Sequence, residues 1–186
     1  MTVRSVSGST DEDARRERAG RVAQLAVTRG CTIAVAESLT GGMLASALAQ
    51  AEKASQWFCG SLVAYSTVVK HELLGVPPGP VVSARAAGVM ARRVRELLRA
   101  DLAVAVTGAG GPDAQDGQPP GTVFLAVDGR GHHEVVHRHE RHSRTRLACE
   151  SAAHTQARGR AWVTSWSSSW DCRRRPVPSR RWPARA

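Results

Sequence analysis

Ser38, Lys70 and two glycine-rich turns are the parts of this 186-residue sequence whose types and surroundings suit chemistry. Ser38 stands in AESLTGG, between an apolar run and a small-residue pattern that starts at about Met43. A serine hydroxyl is a weak nucleophile until a base takes its proton, and that base need not be near in sequence. At a helix mouth, unpaired N–H groups and the helix dipole favour negative charge, which suits an oxyanion or a phosphate. Gly41 and Gly42 let the backbone come close to a ligand. The structural alternative is that Ser38 or Thr40 simply N-caps the helix.

Lys70 lies in AYSTVVKHELLG, near the beginning of a short helix and five residues after Tyr65, the only tyrosine. It and Lys53 are the only lysines, against 24 arginines. A lysine acts as a base near neutral pH only where burial or nearby positive charge lowers its pKa. Otherwise it is a solvated surface residue, as His71 is expected to be. The second glycine-rich turn, Thr107–Gly108–Ala109–Gly110–Gly111, follows an apolar run, and successive N–H groups in such a loop can form an anion nest. The alternative is a tight loop with no ligand. Pro112 and Asp113 stand where a dinucleotide fingerprint needs its third glycine and a helix. The chain also lacks a phosphate-binding loop ending in Gly-Lys-Ser/Thr, and no glycine sits two before Ser38 as a hydrolase elbow requires. His137 and His139 would share a strand face, but no carboxylate–histidine spacing typical of a metal site accompanies them, so no metal is expected.

The elements that must position these residues follow from periodicity and punctuation. A helix should run from Ser9 or Thr10, with Asp11, Glu12 and Asp13 in its first turn, to Arg29, stopping at Gly30. CTIAVA (31–36) reads as a buried strand, 42–50 as a helix, GSLVAYS (60–66) as a strand and TVVKHELLG (67–75) as a short helix. Ser83 caps a longer helix, and DLAVAVT (101–107) is a third strand. A hairpin across Asp128–Gly131 should join GTVFLAVDG (121–129) to 133–139. Strands alternating with helices, then a strand pair, predict a single-domain α/β fold, a mixed β-sheet covered by helices in three layers.

Composition limits the partners. The formal charge of +10 is concentrated in 151–186, which holds eight arginines against one acid, whereas 1–150 holds 18 basic and 15 acidic side chains. The body therefore needs no polyanionic partner. Four scattered cysteines (Cys31, Cys59, Cys149, Cys172) without a CxxC pair read as reduced thiols. With no long apolar run and no secretory leader, a cytoplasmic protein is expected. The chain divides into a flexible N-terminus (1–10), a domain (11–150) and an atypical basic tail (151–186), disordered or frame-shifted. Trp162, Trp166 and Trp170 in that tail are spaced four apart, a stripe that could meet nucleic acid or an anionic membrane.

Taken in order, AESLTGG, GSLVAYSTVVKHELLGVP, VSARAAGVMA, AVAVTGAGGPD and PPGTVFLAV resemble the C-terminal domain family of the competence-damage-inducible protein CinA. Stand-alone members of that family are nicotinamide mononucleotide amidohydrolases. The resemblance covers about residues 15–147. It implies hydrolysis of nicotinamide mononucleotide to nicotinate mononucleotide and ammonia, a salvage step, with no cofactor. It further implies Ser38 as nucleophile, Lys70 as general base and Tyr65 beside them. Glu37, Thr40, Gly41, Gly42, Thr107, Gly108, Gly110 and Arg144 would form the substrate pocket. The partner would be a small-molecule pyridine nucleotide, with neither membrane nor nucleic acid, in a homo-oligomer. The partner domain that precedes this one in CinA is expected to be absent here, with about 15 residues ahead of the resemblance.

The chain departs from the family pattern at several points. Leu39 replaces a cysteine, Thr67 an asparagine, and Val68 and Val69 a polar pair, while His142 and Ser143 do not match a Gly-Asp-Arg element. The family's C-terminal amphipathic helix has no counterpart after about Leu147, where the composition changes as a frameshift in a GC-rich gene would change it. These departures motivate a second reading, a catalytically silent nucleotide-binding or interaction domain of the same family. A third is a nucleic-acid-binding protein working through the tail.

Overall fold

Residues 11–129 and 131–139 are described by a computed structural model, and they form one five-stranded sheet with helices on both faces. In chain order the elements are α1 (Asp11–Arg29), β1 (Ile33–Glu37), α2 (Met43–Ala49), α3 (Ala54–Trp57), β2 (Phe58–Val63), α4 (Thr67–Glu72), α5 (Ala84–Leu98), β3 (Leu102–Gly108), β4 (Thr122–Gly129) and β5 (His132–His139). The strand order is β2-β1-β3-β4-β5. The first three strands run parallel, and β4 and β5 add to them as an antiparallel hairpin. The sheet is mixed, as the order of the predicted elements implied.

Alternation along the strands sorts the two faces. Ala34, Ala36, Ala103, Ala105 and Ala126 point to the face covered by α5, where Ala86, Ala87, Met90, Ala91 and Val94 meet them. Alanine on both sides allows the helix and sheet to pack closely. The opposite face carries Val35, Val106, Val123 and Leu125 under Ala19, Ala23 and Ala26 of α1 and Leu44 and Leu48 of α2. On this face the strands contribute valine and leucine where the α5 face has alanine.

Several boundaries follow local chemistry. The Ser83 hydroxyl accepts from Ala86 N at 3.1 Å and starts α5, as expected. Ser66 caps α4 in the same way, accepting from Val68 N at 3.2 Å. β2 begins at Phe58 and ends at Val63, so Tyr65 and Ser66 lie beyond the strand and not in it. The single turn α3 was not legible in the sequence. Its Trp57 is 2% exposed in the α1-side core and donates Nε1–H to Glu52 O at 3.1 Å. Among the described residues, no helix is long and apolar enough to cross a membrane.

Candidate active site

The carboxyl ends of β1, β2 and β3 meet at one edge of the sheet. The chain leaves β1 for β2 on one side and returns past β1 to β3 on the other. The β1–β2 connection carries α2 on one face, and the β2–β3 connection carries α5 on the other. Open α/β sheets place their ligand crevices at such a switch point. Ser38, Lys70, Thr107 and Gly108 all belong to it, brought there by topology from segments as far apart as residues 38 and 108.

Ser38 directly follows β1 and is 5% exposed. Two bonds hold the strand end on both sides: Ser38 N donates to Val106 O at 3.1 Å, and Ala64 N donates to Glu37 O at 2.7 Å. The Ser38 hydroxyl has no hydrogen-bond partner among the described residues. The chain then turns through Gly41 and Gly42, whose φ values of 62° and 101° are left-handed and favour glycine.

That turn differs from what its sequence suggests. Neither Ser38 nor Thr40 caps α2; Gly42 stands at the N-cap with no side-chain bond. The Glu37 carboxylate performs this task from the end of β1. It is fully buried and accepts from Leu44 N at 3.0 Å, Ala45 N at 2.7 Å and Thr40 Oγ1 at 2.5 Å. Met43 N donates to Thr40 O and Ser46 N to Gly42 O. The first-turn N–H groups of α2 are therefore taken, and they are not the open anion site that a helix mouth suggests. The amides of Leu39, Thr40 and Gly42, in the turn itself, have no acceptor among the described residues.

Lys70 is placed differently again. It lies in the last turn of α4, not its beginning, and is 2% exposed rather than solvated. Its ammonium donates to Tyr65 O at 3.0 Å, so the amine folds back onto the segment that leaves β2. Burial pushes the Lys70 pKa below the usual 10.5, and the negative charge of Asp116 partly opposes that fall. A buried amine with a lowered pKa is suited to accept a proton from a hydroxyl. Tyr65 supplies its carbonyl to this arrangement, while its side chain is 69% exposed.

The β3 end contributes Thr107 and the turn after it. Thr107 is fully buried, and its hydroxyl donates to Val81 O at 2.8 Å, so it fastens the segment before α5. At Gly108 a Cβ would lie 2.3 Å from Thr122 O and 3.3 Å from the Leu39 side chain. A Cβ at Gly110 would lie 3.4 Å from Leu39. These glycines let the two glycine-bearing turns close on each other, with Leu39 between them. Asp116, which sequence reasoning missed, accepts from Val81 N at 2.7 Å and Val82 N at 2.8 Å. The Asp-Gly pair at 116–117, a hairpin signal, would have pointed to it. Arg144 and the tail 151–186 lie outside the described residues.

A family model described as the CinA C-terminal domain matches residues 15–159 of the chain. A CinA-like protein from Frankia casuarinae is 44% identical over 115 residues, which is 59% of this chain and 27% of that protein. The chain spans between a quarter and a third of the length of the first curated relatives it matches. Solved structures agree over more of their length. A competence-damaged protein (CinA) superfamily protein from Klebsiella pneumoniae superposes with a TM-score of 0.75 at 28% identity, covering 82% of this chain and 99% of that one. A competence/damage inducible protein from Agrobacterium tumefaciens gives a TM-score of 0.70 at 28% identity, covering 88% and 99%.

Proposed function

The chain belongs to the CinA C-terminal domain family, and on that premise we propose that it is an amidohydrolase that converts nicotinamide mononucleotide to nicotinate mononucleotide and ammonia. Ser38 is the nucleophile and Lys70 its general base. The observation that carries this reading is the buried Lys70 amine, with its lowered pKa, at the same sheet edge as the Ser38 hydroxyl, which has no partner among the described residues.

The reaction proceeds in two halves. Neutral Lys70 takes the Ser38 proton as Oγ attacks the carboxamide carbon, and the carbonyl oxygen becomes an oxyanion. The unengaged amides of Leu39, Thr40 and Gly42 are the donors suited to it, since the α2 amides are already bonded. Protonated Lys70 returns its proton to the leaving nitrogen, and ammonia departs. Water then hydrolyses the acyl-serine, giving the carboxylate and free Ser38. Glu37 and Thr107 support the pocket through the segments they hold. Gly41, Gly42, Gly108 and Gly110 keep its walls low, and Arg144 joins as a substrate contact. The protein acts in the cytoplasm on a soluble pyridine nucleotide, as a homo-oligomer, through a domain spanning 11–150.

Ammonia release from nicotinamide mononucleotide tests this, with Ser38→Ala and Lys70→Ala alongside. The wild type should release ammonia, and each variant should fall by at least about a thousandfold while remaining folded. A folded wild type that binds the nucleotide without release, unaffected by Ser38→Ala, would instead establish the catalytically silent domain.

A further inference from the structure

The loop from Ala109 to Gly121 is tied to the segment before α5 by the Asp116 side chain. Asp116 sits at the tip of a two-residue hairpin, with φ 54° at Asp116 and 75° at Gly117. Gln115 and Gln118 flank it and exchange backbone bonds of 3.0 and 2.8 Å. This left-handed pair is the turn that Asp-Gly favours. From that tip, one carboxylate oxygen takes both Val81 N–H (2.7 Å) and Val82 N–H (2.8 Å). Thr107, at the end of β3, holds Val81 by its carbonyl. Val81 is thus gripped at both polar atoms by the β3 end and the loop that follows it.

The gripped segment leads back to Lys70. Val76 N donates to Lys70 O at 3.0 Å, and Leu74, Val76, Val81 and Val82 share one core, with Val69 packed against it. We propose that Asp116 is a positioning residue for Lys70: it clasps the 76–82 segment that follows the Lys70 helix onto the end of β3. This rests on the reading of Lys70 as the base.

Three titratable or charged groups on β1, α4 and α5 are bonded to other partners. Glu37 on β1 is spent on α2, His71 on α4 bonds Val76 O through Nδ1 at 2.7 Å, and Arg93 on α5 bonds Leu73 O at 3.4 Å. Asp116 is the acid whose charge acts on Lys70, holding the amine's affinity for a proton above what burial alone would leave. It would therefore tune the pH at which the base becomes available.

The chain's two lysines make a direct test possible. Carbon-13 NMR of the full chain labelled at lysine Cε follows Lys70, with the exposed Lys53 as reference, in the wild type, Asp116→Asn and Asp116→Glu. Asparagine suits the left-handed turn and keeps an acceptor oxygen but removes the charge. In that variant the Lys70 midpoint should fall by about half a pH unit or more, with Lys53 unmoved and the melting temperature close to wild type. The acid limb of ammonia release should move the same way. Asp116→Glu should restore the Lys70 midpoint while lowering the melting temperature, because the longer side chain misfits the clasp. An unchanged Lys70 midpoint in Asp116→Asn overturns the proposal. Should the asparagine variant not fold, the glutamate variant decides: a midpoint near wild type supports the proposal and a displaced one overturns it. A midpoint that falls in a protein that never releases ammonia upholds Asp116 and removes only the amidohydrolase reading.

Discussion

The Glu37 carboxylate bonds the main-chain N–H of Ala45 at 2.7 Å, from eight residues earlier in the chain and from the end of a different element. Strand β1 therefore supplies the cap of helix α2. The turn between them, Ser38 to Gly42, is pinned at both ends by a single buried side chain. Ser38 stands first in that turn, so its hydroxyl is placed by the Glu37 bonds and not by any bond of its own.

Removing this cap should loosen the turn before it affects the rest of the sheet. Glu37→Ala leaves the N–H groups of Leu44 and Ala45 and the Thr40 hydroxyl without their acceptor inside the protein. A loss of about 2–4 kcal/mol in urea unfolding is expected. Glu37→Gln keeps one oxygen but turns an NH₂ group toward N–H donors, and should cost about 1–3 kcal/mol. If both variants unfold with wild-type midpoints, the cap is unimportant to stability.

Much of the architecture was legible because it is written locally. The apolar strand runs, Ser83 three residues before the amide it accepts, and the strand pair at the end all depend on near neighbours. The site was legible only as a set of residue types. Glu37 finds its partners seven and eight residues on, Asp116 finds its own 34 and 35 residues back, and Thr107 reaches 26 residues back to Val81. Each is an ordinary polar residue until the sheet is assembled. Lys70 is the same case: its local sequence allows a surface or a buried position, and only the packing around β2 and α4 decides.

The glycines of the two turns should respond differently to alanine. At Gly108 the new Cβ would lie 2.3 Å from Thr122 O and 3.2 Å from Val123 Cα, both backbone atoms of β4. The β3–β4 junction must shift, and Gly108→Ala should cost about 2–3 kcal/mol. At Gly41 nothing lies within 4 Å, so the cost is only that of the left-handed φ of 62°. Gly41→Ala should cost about 1 kcal/mol. Thermal unfolding of the two proteins side by side checks the order.

Leu39 fills the space over Gly108 and Gly110. Its replacement by cysteine, the residue of the family pattern, removes packing without touching any polar bond described at the site. A loss of about 1–2 kcal/mol is expected, with kcat for ammonia release retained. A large fall in kcat would instead give Leu39 a direct part in holding the substrate.

Lys70 ties stability to activity through pH. Its folded pKa is lowered by burial, whereas the unfolded chain returns to about 10.5. Between those two values the unfolded chain binds the proton and the folded one does not, so stability rises as pH rises through that window. Below the folded pKa both states are protonated and the buried ammonium's cost is present in full. Lys70→Met removes that cost. It should raise stability at neutral pH by about 1 kcal/mol or more, abolish the alkaline rise contributed by this group, and abolish ammonia release. The wild-type activity should increase with pH through the same folded pKa, because the base works only when neutral. Urea unfolding at neutral and alkaline pH, set beside the pH–rate profile, tests both statements together. A Lys70→Met protein that is less stable at neutral pH would mean that the amine's bond to Tyr65 O outweighs the cost of burying its charge.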